Sequence, residues 1–348
     1  MIEVDGAHGE GGGQLLRMAI ALAALRGVPV KITRIRAGRP KPGLAAQHLT
    51  AIRALAALSA AEVEGLDIGS KEIVFRPGTI AGGRYTFDVG TAGSVTLVLQ
   101  ACLPVAFAAP ATVTLKLLGG TDVRWSPPLD YVAKVVLPML RNFGGDAQVV
   151  LVRRGYYPRG GGAIEVAIRP AAAWSPIRLT EQGPLRRIRG IVHVSHLQED
   201  IPKRIKHAAM RRLVGRGEAA IEERVYSGDD AIGQGGALVL WAETEGSILG
   251  ADSLAERGKP SEEVGKEAAD ALLREIASGA TLDFHAADQL LAYAAMADAP
   301  SEFLVREVSE HVRTMLWLLG SILGTRFEIR PEGAANRVLV FPAESAPG

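Results

Sequence analysis

The spacing of apolar and polar residues changes along the chain, and each change marks an element. Residues 2–5 form a short β-type run, followed by a glycine cluster and then a helical period over 13–25. Residues 28–34 alternate and are rich in β-branched side chains, which predicts a strand. A Pro/Gly loop over 38–43 leads into a helix at 44–58, and short strands follow near 61–64 and 72–75. The order then returns as strand 85–89, a glycine turn at 90–93, helix 94–107, strand 112–118, helix 128–142 and strands 149–153 and 163–168. Pro128 falls in the first turn of its helix, where a missing N–H costs nothing. A third round reads as helices over 285–297 and 305–323 and strands over 325–330 and 337–341.

One stretch breaks this rhythm. Residues 184–279 carry their own expected strands (188–194, 222–226, 237–243) and helices (202–214, 261–277). The last helix opens Ser261-Glu262-Glu263, read as an N-cap followed by acids that suit the helix dipole. The expected fold is α/β (α+β). Three repeated units of two helices on a small sheet form a large domain from residues 1–183 and 280–348, and 184–279 form a small inserted α/β domain. The repeat is too long for a solenoid.

Composition narrows the class. The 348 residues are 48% hydrophobic and 22% charged, as in globular chains. Aromatics are 5%, so the core must rest on Ala, Val, Leu and Ile. The 40 glycines cluster, which points to backbone put to use. Cys102 is the single cysteine, which excludes an intramolecular disulfide and a Cys-rich zinc site. Within Leu99–Leu103 it reads as a small core residue, and a reducing, cytoplasmic setting is expected. The opening Met1-Ile2-Glu3-Val4-Asp5 is not read as an export signal. Apolar runs such as 19–25 are too short to span a bilayer and read as amphipathic helix, so no membrane partner is expected. A net charge of +1 provides no global field toward nucleic acid. Locally, Lys31, Arg34, Arg36, Arg39 and Lys41 stand together without an acid. A second basic segment (Lys203, Arg204, Lys206, Arg211, Arg212, Arg216) reads as a solvated helix face.

Five clusters can carry chemistry. Gly9-Glu10-Gly11-Gly12-Gly13-Gln14-Leu15-Leu16-Arg17 lies between a strand and a helix, where glycines admit a ligand and free N–H groups face an anion. Gln14 and Arg17 share a helix face. The cluster is neither a Walker loop nor a dinucleotide fingerprint. Arg36-Ala37-Gly38-Arg39 with Gln47-His48 suits bidentate phosphate contacts, or is an exposed basic loop. Arg154-Gly155-Tyr156-Tyr157-Pro158-Arg159-Gly160-Gly161-Gly162 is, alone, a tight turn. His285, Asp288 and Gln289 project from one face of a helix, as a pocket wall or as a first turn facing water. His311 enters an apolar helix, where a lone histidine is more often structural than nucleophilic.

Together these residues resemble the RNA 3′-terminal phosphate cyclases. Arg154 to Ile164 fits that family's signature, (Arg or His)-Gly-x-x-Pro-x-Gly-Gly-Gly-x-(Leu, Ile or Val), at every position. The Gly9–Arg17 cluster, Arg36–Arg39, Gly119-Gly120-Thr121-Asp122 and Ala287-Asp288-Gln289 also look like family motifs, in the same order, from Ile2 to about Phe341. The resemblance implies three α/β units with an inserted domain. It also implies an ATP-dependent enzyme that converts an RNA 3′-terminal phosphate to a 2′,3′-cyclic phosphodiester through histidine–AMP and RNA–adenylate intermediates, with Mg²⁺ (or Mn²⁺). By it, His311 is the adenylylated nucleophile, within Ser-x-His-x-x-Thr. Glu10, Arg17, Gln100, Pro127, His285, Ala286, Ala287, Asp288 and Gln289 look like ATP or AMP contacts, with His285 and Pro127 on either side of the adenine. Glu10 and Asp288 are also candidates for the metal or the ribose. Arg36, Arg39, Gln47 and His48 look like contacts to the RNA phosphate. The scarcity of aromatics suggests contacts mainly to the terminal phosphate. The rival readings are a non-catalytic cyclase-like protein binding RNA in ribosome assembly, and an enolpyruvyl transferase.

Overall fold

One order of elements, β-α-β-α-β-β, occurs three times in the computed structural model, which describes residues 1–343. The first unit contains β1 (Ile2–Asp5), α1 (Gly13–Arg26), β2 (Val30–Thr33), α2 (Ala46–Leu58), β3 (Glu62–Glu64) and β4 (Ile73–Arg76). The second contains β5 (Gly83–Asp88), α3 (Val95–Phe107), β6 (Val113–Gly119), a helical segment, β7 (Asp146–Gly155) and β8 (Gly162–Arg169). That segment is α4 (Leu129–Tyr131), a π turn (Val132–Val136) and α5 (Leu137–Arg141) in succession. The third unit begins with β9 (Arg178–Leu179) and is then interrupted.

The interruption runs through β10 (Leu185–Ser195), α6 (Asp200–Leu213), β11 (Ala219–Tyr226), β12 (Ala231–Ile232), β13 (Gly235–Thr244), β14 (Ile248–Leu254) and α7 (Ser261–Ser278). The third unit then resumes with α8 (Ala286–Met296), β15 (Ser301–Val305), α9 (Glu310–Leu323), β16 (Arg326–Glu332) and β17 (Ala335–Phe341). Each unit's first two strands are parallel, and its last two add antiparallel. The resulting orders are β1-β2-β4-β3, β5-β6-β8-β7 and β9-β15-β17-β16.

The helices of all three units share one apolar core. Gln14 to Ala24 of α1 are all buried, so this helix is enclosed rather than amphipathic as expected. Its neighbours α2, α3 and α9 account for that. The mixed α/β class is as expected. The interrupting segment has its own sheet, β11-β10-β13-β14, and its own core, including Ile188, Ile205, Leu213, Leu240 and Leu272. The basic face of its helix α6 is solvent-facing and ion-paired, Arg204 to Glu262, Arg212 to Asp270 and Lys206 to Glu223. The strand β12 returns to pair with β7.

Three expectations need correction. The helix expected from 305 starts five residues later, because Phe303, Leu304 and Val305 are a buried strand between β9 and β17. A short, continuously apolar run does not distinguish the two periods. Ser309 fixes the true start by accepting the Val312 N–H at 3.2 Å. The strand β14 was not anticipated. Ser261 is the first helical residue, and Pro260 holds the N-cap position without a side-chain cap. Cys102 is buried in the core, and burial pushes its thiol up to about 12. No helix among the described residues is long and apolar enough to cross a membrane.

Candidate active site

The repeated topology brings the starts of α1, α8 and α9 together. The loop before α1 is closed by Gly9 and Gly11, both at φ 58°, a region that favours glycine. A Cβ on Gly9 would collide with the Thr314 hydroxyl. Thr314 Oγ1 accepts the Glu10 N–H at 3.4 Å and ties the loop to α9. Gln14, second in α1, then meets His311, second in α9, and Asp288, third in α8. The exposed N–H groups and dipoles of these first turns favour an anion among them.

The contacts of His311 fix its chemistry. Gln14 donates its amide N–H to the Asp288 carboxylate, which turns Gln14 Oε1 toward His311. His311 Nδ1 lies 2.8 Å from that oxygen and 2.9 Å from Glu10 Oε2. Both partners are acceptors, so the hydrogen of the neutral ring resides on Nδ1. Nε2 then carries a free lone pair. The ring is 45% exposed, open enough to receive a ligand. Glu10 is also paired with Arg39. Asp288 is enclosed by protein although part of its surface is open, and burial pushes its carboxyl up to about 6, against the pull of the other charges nearby.

Arg17, one turn after Gln14, is 4% exposed. Burial brings its pKa down to about 10, partly opposed by Asp288, so it remains a cation at neutral pH. Its Nε has no hydrogen-bond partner among the described residues, a costly state for a buried donor. Arg36 donates to the Gly43 carbonyl at 2.8 Å, and burial lowers its pKa. His48 is 3% exposed, and its Nδ1 accepts the Ala45 N–H at 3.1 Å at the start of α2. Burial, and then the charges of Arg17 and Arg36, hold it down to about 3, so it is neutral. It presents no open face. Gln47 accepts the Ser94 N–H at 3.1 Å at the start of α3.

On the other side, His285 is the N-cap residue of α8; its surface is exposed, yet the protein packed around its ring keeps the imidazole below the ordinary value. It meets Tyr131 edge-on at 6.1 Å. Pro127, four residues before Tyr131, accepts the Thr96 hydroxyl at 2.8 Å through its carbonyl. Gln100 lies one turn beyond Thr96 on α3. Ala286 and Ala287 are buried, and Gln289 donates to the His285 carbonyl at 3.0 Å. The organiser of this side is Asp283, which the sequence reading missed. Its Oδ1 accepts the Tyr131 hydroxyl at 2.5 Å and the His285 and Ala286 N–H groups at 3.0 Å, while Oδ2 accepts the Gly250 N–H at 2.8 Å. An Asp two and three residues before a helix start was the available signal.

No group of three or more His, Cys, Asp or Glu suited to a metal occurs among the described residues. The Arg154–Ile164 signature makes none of the His311 contacts. Arg154 is fully buried, bonded to Asp122 at 2.9 and 3.1 Å and to Asp130 at 2.5 Å. Burial works against its charge, but the two carboxylates outweigh it. Tyr156 bonds His193 Nδ1 at 2.8 Å, which joins the second unit to the inserted segment.

The family model described as RNA 3′-terminal phosphate cyclase matches residues 8–329. A protein of that name from Nitrosospira multiformis is 50% identical over 98% of this chain and 97% of its own. Those from Methanopyrus kandleri and Pyrococcus furiosus are 45% and 43% identical, covering 98% and 95% of this chain and 99% and 95% of theirs. A match over nearly the whole length, with the motifs in one order, places the chain in the RNA 3′-terminal phosphate cyclase family.

Proposed function

We propose that this protein is an enzyme that closes an RNA 3′-terminal phosphate into a 2′,3′-cyclic phosphodiester at the expense of ATP, with AMP carried on His311 Nε2. The observation that carries this reading is the fixed tautomer of His311, beside the buried guanidinium of Arg17, whose Nε has no hydrogen-bond partner among the described residues. Nε2 attacks the α-phosphorus, the P–N bond forms, and the bond to pyrophosphate breaks. Glu10 at Nδ1 stabilises the positive charge that the ring gains. Arg17, Arg36 and Arg39 offset the charge of the phosphates. An oxygen of the RNA phosphate then takes the adenylyl group, and the P–N bond breaks. Finally the vicinal 2′-oxygen attacks the activated 3′-phosphorus, its proton passes to solvent or a base, and AMP leaves. This last step is intramolecular, so positioning provides much of its rate.

Glu10 and Asp288 are the carboxylates that would hold Mg²⁺, which would supply charge neutralisation on the leaving group. Adenine would lie between His285 and Pro127, and a reducing, cytoplasmic setting suits the buried thiol of Cys102. The test is to incubate the protein with ATP, Mg²⁺ and an oligoribonucleotide carrying a labelled 3′-phosphate. Label that becomes resistant to phosphatase, with AMP released, is expected. Label that stays phosphatase-sensitive with folded, ATP-binding protein would refute the reading.

A further inference from the structure

The family signature is left without a task at His311, and its surroundings suggest one. Gly155, Gly160 and Gly162 allow backbone contacts that a Cβ would block, such as Gly160 (φ 65°) against the Thr91 carbonyl. These contacts present the tip, Tyr157-Pro158-Arg159, to solvent. The tip lines a cleft of about 1870 Å³ between the second unit and the inserted segment. That is well above the ~300–1,000 Å³ of small-ligand pockets.

Two aromatic rings stand open in this cleft. Trp125 is 92% exposed and Tyr157 76%, unusual for large aromatic side chains. Trp125 holds a left-handed backbone, φ 63°, so its outward position is maintained against local strain. Five bases share the lining: Arg124, Arg153, Arg159, Arg257 and Lys259. Arg124 and Lys259 are paired, to Glu256 and Glu267, and Arg153 donates to the Gly161 carbonyl at 3.0 Å. Arg159 and Arg257 are exposed and make no ion pair among the described residues. Open rings with free guanidinium groups are the chemistry that holds a single-stranded nucleic acid without reading its sequence. The cleft approaches the proposed reaction centre through Gln47 and its neighbour. Gln47 lines it, and the adjacent His48 lies against Gly13 at the start of α1.

We propose that this cleft is the track for the RNA behind its reacting end, with bases stacked on Trp125 and Tyr157 and phosphates met by Arg159 and Arg257. It rests on the function proposed above and extends RNA contact beyond the terminal phosphate.

The test uses the full chain and uridine oligoribonucleotides of two, four and eight residues ending in a 3′-hydroxyl, which require no catalysis. Tryptophan fluorescence and filter binding are read together. Quenching by the oligomers is expected, with affinity rising with length. The quenching should vanish in Trp125→Leu, and filter binding of the octamer should weaken about tenfold in Trp125→Leu and in Tyr157→Ala. Trp125→Phe should lose the signal yet keep most of the binding. Arg159→Ala with Arg257→Ala should flatten the salt dependence. Melting curves confirm folding. Equal affinity for all lengths, quenching that survives Trp125→Leu, or Trp125→Phe binding no better than Trp125→Leu would overturn the proposal. Length-dependent quenching without cyclisation would leave this proposal standing and sink the proposed function. Cyclisation without quenching would do the reverse.

Discussion

Replacing Glu10 with Gln removes one charge and little volume, next to the proposed nucleophile. In the parent, Glu10 Oε2 is 2.9 Å from His311 Nδ1. When Nε2 bonds to phosphorus the ring becomes cationic, and the carboxylate is stronger for that state than for the neutral ring. Both groups are partly exposed, so an effective dielectric of about 40–80 applies, which at this separation gives ~1.4–2.9 kcal/mol. Hydrogen bonds to charged groups contribute ~1.5–3 kcal/mol. A loss of about 2 kcal/mol corresponds to roughly 30-fold in rate. It is not larger, because Gln14 still accepts from Nδ1 and holds the tautomer. The assay is single-turnover transfer of label from α-labelled ATP to the protein at saturating Mg²⁺. A roughly 30-fold slower Glu10→Gln at saturating Mg²⁺ is the expected result. A rate within twofold of the parent would refute the electrostatic argument. A defect that disappears with added Mg²⁺ would leave Glu10 with the metal role alone and remove its electrostatic role at His311.

Asp288 is raised to about 6, so label uptake should fall below that pH as its carboxylate loses its charge and its grip on the Gln14 amide, and Asp288→Asn should lack that limb. Ionising it costs the folded state, so parent stability relative to Asp288→Asn should decline between about pH 4 and 6, read by melting at several pH values. His48 has the opposite sign. Its folded value of about 3 lies below the ordinary 6.5, so the unfolded chain takes the proton first and stability is lost as pH falls from 6.5 toward 3. At pH 5 the loss is about 2 kcal/mol, or about 3 °C in Tm for a chain this long, and His48→Gln should abolish it. Arg154→Met removes the guanidinium that pairs with both Asp122 and Asp130, leaves those carboxylates buried, and should cost ~3–5 kcal/mol in denaturant melts, with label uptake by the folded fraction retained.

The units were legible because their helices and strands carry different periods, and because glycine loops separate them. The strand β15 was not, since Phe303-Leu304-Val305 is buried on both faces and shows no alternation. The symmetry also explains the site. Each glycine-rich or polar helix start noticed separately, at Gln14, Asp288 and His311, is the same topological position or its neighbour in a repeated unit. Their convergence could not be read from spacings of 274 and 297 residues. His48 looked like a phosphate ligand because it follows a basic loop, and only its burial reveals the backbone N–H that it caps. Asp283 was hidden for the opposite reason, because its four partners come from three separate parts of the chain, Tyr131, Gly250 and the adjacent pair His285-Ala286. The signature Arg154 to Ile164 was recognised by its residues, whereas its joining of two segments depends on His193 and Asp122, which no local pattern connects.

The most direct test of the central claim is to incubate the parent, His311→Asn and His285→Asn with Mg²⁺ and α-labelled ATP and to resolve them on a denaturing gel. The account predicts an acid-labile labelled band in the parent and in His285→Asn, and none in His311→Asn. Label retained by His311→Asn, or lost only in His285→Asn, would contradict it.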